Sequence, residues 1–260
     1  MQSPKILFMH IPKTAGTSIR NMIEKNFSKD ERLYIYEESR WKTPYDIKKM
    51  DHDTKKNIKI VYGHFLFGIH KYFDEPTKYM TIIREPVDRI LSAYYHFKTI
   101  PTHKKIMLTI FNWGANLPIS LPKLLQQRHS KQLKNHYFVV NNKLSVVEFV
   151  KCGRFGVDNT MVRRISNIPV GYGKITQEIY ETAIYNIENY FVDVLLMEDM
   201  KQSVERLASI IGSTDLSMRM DNVNKKRERT GLDGNTLSFL KETNKYDLML
   251  YDYCYHRFKR

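Results

Sequence analysis

The 260-residue chain is poor in the features that would mark several protein classes. It has two cysteines, Cys152 and Cys254, with no CxxC pair and no Cys/His ligand spacing around them. A disulfide framework and a structural zinc site are therefore excluded as organising devices, and both thiols read as buried in a reducing compartment. Its longest apolar runs, such as Ile6-Leu7-Phe8-Met9, are too short for a signal segment or a membrane span, so a cytoplasmic protein is expected. No repeat or low-complexity linker breaks the chain, and 42% hydrophobic with 27% charged residues is ordinary globular composition. A single domain over 1–260 is the simplest organisation.

Acidic charge is also scarce. Lys and Arg total 42 against 28 Asp and Glu, a net +14, so the surface field favours anionic partners. No helix-turn-helix, zinc-finger or RNP-type signature accompanies that charge, which argues against a nucleic-acid binder.

Short apolar, β-rich runs at Lys5–His10, Asn57–Tyr62, Lys78–Ile83 and Phe191–Leu196 alternate with helical patterns. Helices are expected over Thr17–Asn26, Val87–Phe97 after the "REP" turn, and Met200–Ile211 stopped by Gly212. Ser145 opens another with a capping box in "SVVEF", and Thr236–Phe258 reads as largely helical. The alternation predicts an α/β, P-loop-like three-layer fold: a central parallel sheet flanked by helices. Residues 99–142 have weaker periodicity and many basic residues, and read as a helical insertion for acceptor binding.

The first strand runs into "HIPKTAGTS", a small-residue loop leading to a helix N-terminus. Unpaired N–H groups and the helix dipole converge there, which makes an anion site. Gly16 permits unusual dihedrals, and Thr17 and Ser18 are candidate caps and hydroxyl donors. The nucleoside-triphosphatase spelling GxxxxGK[ST] is missing: Lys13 precedes Gly16, and no glycine opens the motif. A magnesium-dependent, kinase-like phosphotransferase is therefore disfavoured. A lysine at the head of the loop instead suits a 5′-phosphate and its bridging oxygen, stabilising a leaving group without a metal.

"HIPKTAGTS" resembles the 5′-phosphosulfate loop of sulfotransferases that use 3′-phosphoadenosine 5′-phosphosulfate (PAPS), especially the carbohydrate branch that includes the heparan 2-O-sulfotransferases. "TIIREPVDRILSAYYHF" resembles that family's 3′-phosphate segment. The resemblance implies PAPS as sulfuryl donor, bound by Lys13, Thr14, Ala15, Gly16, Thr17 and Ser18 at the 5′ end and by Arg84 and Ser92 at the 3′-phosphate. "DNTMVRRIS" is similar to a D-N-x-x-x-R stretch that would bring Asp158, Asn159 and Arg163 to the substrate. "NVNKKRERTGL" resembles the nucleotide-covering loop, with Asn224, Lys226 and Arg227 over the adenosine bisphosphate. No metal is required.

The general base is expected in "VYGHFLFGIH", which follows a strand end, and His64 is the candidate. Relatives of the 2-O pattern also carry histidine after this glycine; some carry a second one two positions earlier, where this chain has Tyr62. His10 or His70 could then assist. The implied reaction is in-line sulfuryl transfer to a hydroxyl, on a saccharide by family likeness, with a lipid or small metabolite as the alternative acceptor.

Overall fold

The computed structural model describes residues 3–36, 44–98, 138–139, 142–154, 156–213 and 232–259. Strands β1 (Lys5–Met9), β2 (Arg32–Ile35), β3 (Ile60–Gly63), β4 (Thr77–Ile83) and β5 (Phe191–Leu196) form one sheet in the order β2-β3-β1-β4-β5. Every neighbouring pair is parallel, so all carboxyl ends share one edge. Labelled in chain order over the described residues, the helices are α1 (Gly16–Asn26), α2 (His52–Asn57), α3 (Pro86–Lys98), α4 (Val146–Lys151), α5 (Thr160–Ser166), α6 (Gln177–Tyr190), α7 (Met200–Ile211), α8 (Gly234–Thr243) and α9 (Lys245–Phe258).

All five residues of β1 are buried, as a central strand covered on both faces requires. Its alternation sends Ile6 and Phe8 into a cluster with Ile19, Met22 and Ile23 of α1 and Val204 and Leu207 of α7. Leu7 and Met9 point the other way, among Met161 and Ile165 of α5, Ile187 of α6 and Leu250 of α9. Each such side chain contributes about 1.5–3 kcal/mol by burial. A third cluster joins Val87, Ile90 and Tyr94 of α3 to Phe149 of α4 and Leu240 of α8.

At the amino end of the sheet, the buried Lys5 ammonium donates to the carbonyls of Lys55, Lys56 and Ile58 at 2.7–2.9 Å and lies 3.4 Å from Glu75. This end of the sheet is closed by the C-terminus of α2, so the open edge is the opposite one.

Several expectations are met closely: β5 has the expected bounds, Gly212 ends α7 at φ 69°, and Ser145 and Glu148 form the capping box. Others are corrected. Residues 52–57 form a helix capped by Asp51, so β3 starts later than the apolar run suggests. The region 236–258 is largely helical, as expected, in two helices that meet at Asn244. Cys254 is buried, but Cys152 is exposed at the end of α4, where the helix reaches the surface. Nearly all of 99–142 lies outside the described residues, as do Asn224, Lys226 and Arg227.

Candidate active site

Beyond Met9 the chain leaves the sheet and reaches α1 through a loop with two non-glycine residues in the left-handed region, Lys13 at φ 74° and Ala15 at φ 62°. Each costs roughly 1–2 kcal/mol relative to an ordinary conformation, and strain of this kind collects at ligand sites. Thr14 holds the bend from inside: its buried hydroxyl donates to the Ile11 carbonyl at 2.7 Å. Ala15 is the N-cap of α1, with no side-chain capping bond. The expectation that Thr17 or Ser18 caps the helix is thus corrected; both lie within its first turn, Ser18 buried and the Thr17 side chain outside the description. The first turn of α1 keeps amide donors at a positive dipole end, the arrangement that attracts phosphate.

Arg84 follows the last residue of β4, and Pro86 starts α3 two residues further on. Arg84 Nη1 lies 3.5 Å from the Lys13 carbonyl, which brings the two sequence motifs together. Among the described residues Arg84 makes no ion pair. The adjacent Glu85 is turned elsewhere: its carboxylate accepts from the Asp88 amide at 2.8 Å, and its amide donates to Glu198 at 2.8 Å. Glu198 also accepts from the Tyr251 hydroxyl of α9 at 2.9 Å. Ser92 is half-buried on α3, two turns beyond Arg84.

His64 stands one residue past β3 and is exposed, and its amide donates to the Ile35 carbonyl at 2.9 Å. The pairings Phe8↔Tyr62 and Tyr34↔Tyr62 set one row of side chains on the α1 face. Two residues on, His10, His64 and Tyr36 form the next row. The His10 and His64 rings are 4.7 Å apart, and Tyr36 lies edge-on to His64 at 4.6 Å. His10 Nδ1 is 2.7 Å from the Tyr36 hydroxyl, and its ring stacks on Tyr62 at 5.4 Å. Burial, and then the neighbouring charges of His64, Arg164 and Lys13, hold the His10 pKa well below the usual histidine range. His10 is therefore a neutral imidazole at pH 7. His70 lies elsewhere, bonded to Tyr79 and stacked on Tyr190 on the other face of the sheet.

Asp158, Asn159 and Arg163 form an internal brace. Arg163 pairs with Asp158 at 2.5 Å and donates to the carbonyls of Val170 and Gly171. Asp158 also accepts from the Gly173 amide at 3.0 Å. Asn159 is buried and tied to the start of α9: its Oδ1 accepts from the amides of Tyr246 and Asp247, and its Nδ2 donates to the Thr243 carbonyl. These groups bind the protein to itself.

Two residues absent from the sequence reading complete the surroundings. Tyr36 gave no signal, because its role depends on β2 lying beside β3. Arg89 did carry one: it is a cation between Val87 and Ile90 on the apolar face of α3. It is fully buried, donates to the Val157 carbonyl at 2.6 Å, and has its pKa lowered by burial. The site is thus strongly electropositive, and among the described residues no group of three or more His, Cys, Asp or Glu could hold a metal ion.

A parallel sheet with a strained loop and an arginine at its carboxyl edge fits an enzyme of group transfer from an anionic donor. The family model described as "Sulfotransferase family" matches residues 2–167, more than half of the chain, and the protein belongs to that family. It is a sulfotransferase, an enzyme of sulfuryl transfer. Among curated proteins the chain has no significant match.

Proposed function

We propose that this sulfotransferase uses PAPS to sulfate a hydroxyl of a saccharide acceptor, with His64 as general base and Lys13 at the leaving group. The observation that carries the reading is the 3.5 Å approach of Arg84 to the Lys13 carbonyl, which puts the two candidate phosphate-binding elements side by side. Arg84 has no carboxylate partner among the described residues, and the first turn of α1 has no side-chain cap, so both ends of a bisphosphate would find donors.

PAPS supplies a sulfuryl group activated by a phosphate leaving group. The amides at the start of α1 hold the 5′-phosphate, and Arg84 with Ser92 holds the 3′-phosphate. Lys13 donates to the bridging oxygen and stabilises its growing negative charge. An exposed His64 at the strand edge meets the acceptor, takes the hydroxyl proton on a ring nitrogen and contributes about 10²–10⁴-fold. The saccharide class rests on the likeness of the two motifs and of the histidine after Gly63 to the carbohydrate branch.

Calorimetric titration with adenosine 3′,5′-bisphosphate and with ADP tests the donor. The expected result is binding that requires the 3′-phosphate, weakens at least tenfold in Arg84→Ala and also weakens in Lys13→Ala. Equal affinity for the two nucleotides, or binding indifferent to Arg84, would sink the reading.

A further inference from the structure

Arg163 and Arg164 adjoin on α5 and differ completely in bonding. Arg163 is saturated by Asp158 and three backbone carbonyls. The Arg164 guanidinium has one long contact, Nη1 to the Phe65 carbonyl at 3.5 Å, and among the described residues no carboxylate pairs with it. The acids of this region are committed elsewhere: Asp158 to Arg163 and the Gly173 amide, Asp247 to the amides of Met161 and Val162.

Position makes this charge significant. The Arg164 carbonyl accepts from the Phe67 amide at 3.0 Å, so α5 is fastened to the segment that immediately follows His64. Arg164 and Lys13 both act on His10, the ring 4.7 Å from His64. Arg164 thus lies within electrostatic reach of His10, with its guanidinium at the carbonyl of the residue that follows His64. Burial, with Arg89 nearby, lowers its pKa to about 10, which still leaves it charged at pH 7. A partly buried cation with no carboxylate partner among the described residues is costly to fold around, and its fork matches two oxygens of an oxyanion.

We propose that Arg164 binds an oxyanion brought to this site by a substrate, either the sulfuryl oxygens of the donor or an acidic substituent of the acceptor beside the reacting hydroxyl. This rests on the donor reading above. Neither motif assigns the residue, since the D-N-x-x-x-R pattern ends on Arg163.

The test compares the parent protein with Arg164→Gln and Arg164→Lys at physiological salt. Calorimetry gives the affinity for PAPS, for adenosine 3′,5′-bisphosphate, and, with the bisphosphate bound, for size-fractionated heparin as an oxyanion-rich saccharide. If the partner is the sulfuryl group, Arg164→Gln weakens PAPS about tenfold or more, leaves the bisphosphate within about twofold, and Arg164→Lys recovers part of the loss. If the partner is on the acceptor, both nucleotides are unaffected and heparin weakens about tenfold. The proposal is overturned if Arg164→Gln changes no affinity, or if all three fall together with thermal stability, which is the behaviour of a structural residue. A parent protein that binds neither nucleotide overturns the donor reading itself, whereas intact parent binding with an indifferent Arg164→Gln overturns only the role of Arg164.

Discussion

The imidazole of His10 occupies the space that a side chain on Gly16 would need. A β-carbon there would fall 1.8 Å from His10 Nε2 and 2.0 Å from Cε1. The ring is poorly placed to yield, because Tyr36 holds Nδ1 and Tyr62 stacks on its face. The Tyr62 hydroxyl in turn donates to the Gly16 carbonyl at 2.5 Å. Gly16 is thus required by contact with the end of β1.

Gly16→Ala should accordingly displace either His10 or the start of α1. Affinity for adenosine 3′,5′-bisphosphate should fall at least tenfold while circular dichroism keeps the helix and sheet signal of the parent. Unchanged affinity would mean that the His10 ring swings aside freely and does not define the loop.

His64→Ala separates chemistry from donor binding. With sulfuryl transfer followed on a panel of saccharides, turnover should drop about 10²–10⁴-fold while the bisphosphate dissociation constant stays within about twofold of the parent. A variant that keeps full turnover would move the base to another group of the cluster.

Asn159→Ala tests the brace. Three hydrogen bonds to the α8–α9 junction are lost, at about 0.5–1.5 kcal/mol each, so chemical denaturation should register a loss of roughly 2–4 kcal/mol. Nucleotide affinity of the folded fraction should be unchanged. A large loss of affinity at parent stability would instead assign Asn159 to the ligand.

Asp247 gives stability a pH dependence of definite sign. The carboxyl is buried between α5 and Arg89, and burial pushes its pKa up to about 6. The unfolded chain releases this proton near pH 4 while the folded chain keeps it, so this group's contribution falls as pH rises from about 4 to 6. By pH 7 the loss amounts to roughly 2–3 kcal/mol. Asp247→Asn should remove that component, seen as a shallower fall, or a steeper rise, of unfolding free energy across the window than in the parent. Parallel pH profiles for the two proteins would refute the assignment.

What the sequence makes legible is local. The strand, loop and helix around Lys13, the strand-end arginine before Pro86, the Ser145 capping box and the Gly212 stop all depend on near neighbours. Strand β2 was not legible: four residues, Arg32–Ile35, alternate between buried and half-buried, and so short a run barely differs from loop. The break at Asn244 was hidden because its cause is distant, the side chain accepting from the Asn159 amide and donating to the Leu240 carbonyl. The same holds for the aromatic row at the site. His10, Tyr36 and His64 each follow the end of a different strand, and only the β2-β3-β1 order makes them neighbours. The brace of Asp158, Asn159 and Arg163 shows a converse limit, since a motif names residues without saying where their hydrogen bonds end.

Glu198 joins parts of the chain that are far apart in sequence. One oxygen of its carboxylate receives the amide of Glu85, 113 residues away, and the other receives the hydroxyl of Tyr251 on the last helix. The turn that carries Arg84 is therefore pinned to α9 by a single side chain acting as a strut. Its consequence is mechanical: a displacement of α9 is passed through Glu198 to the turn beside Arg84.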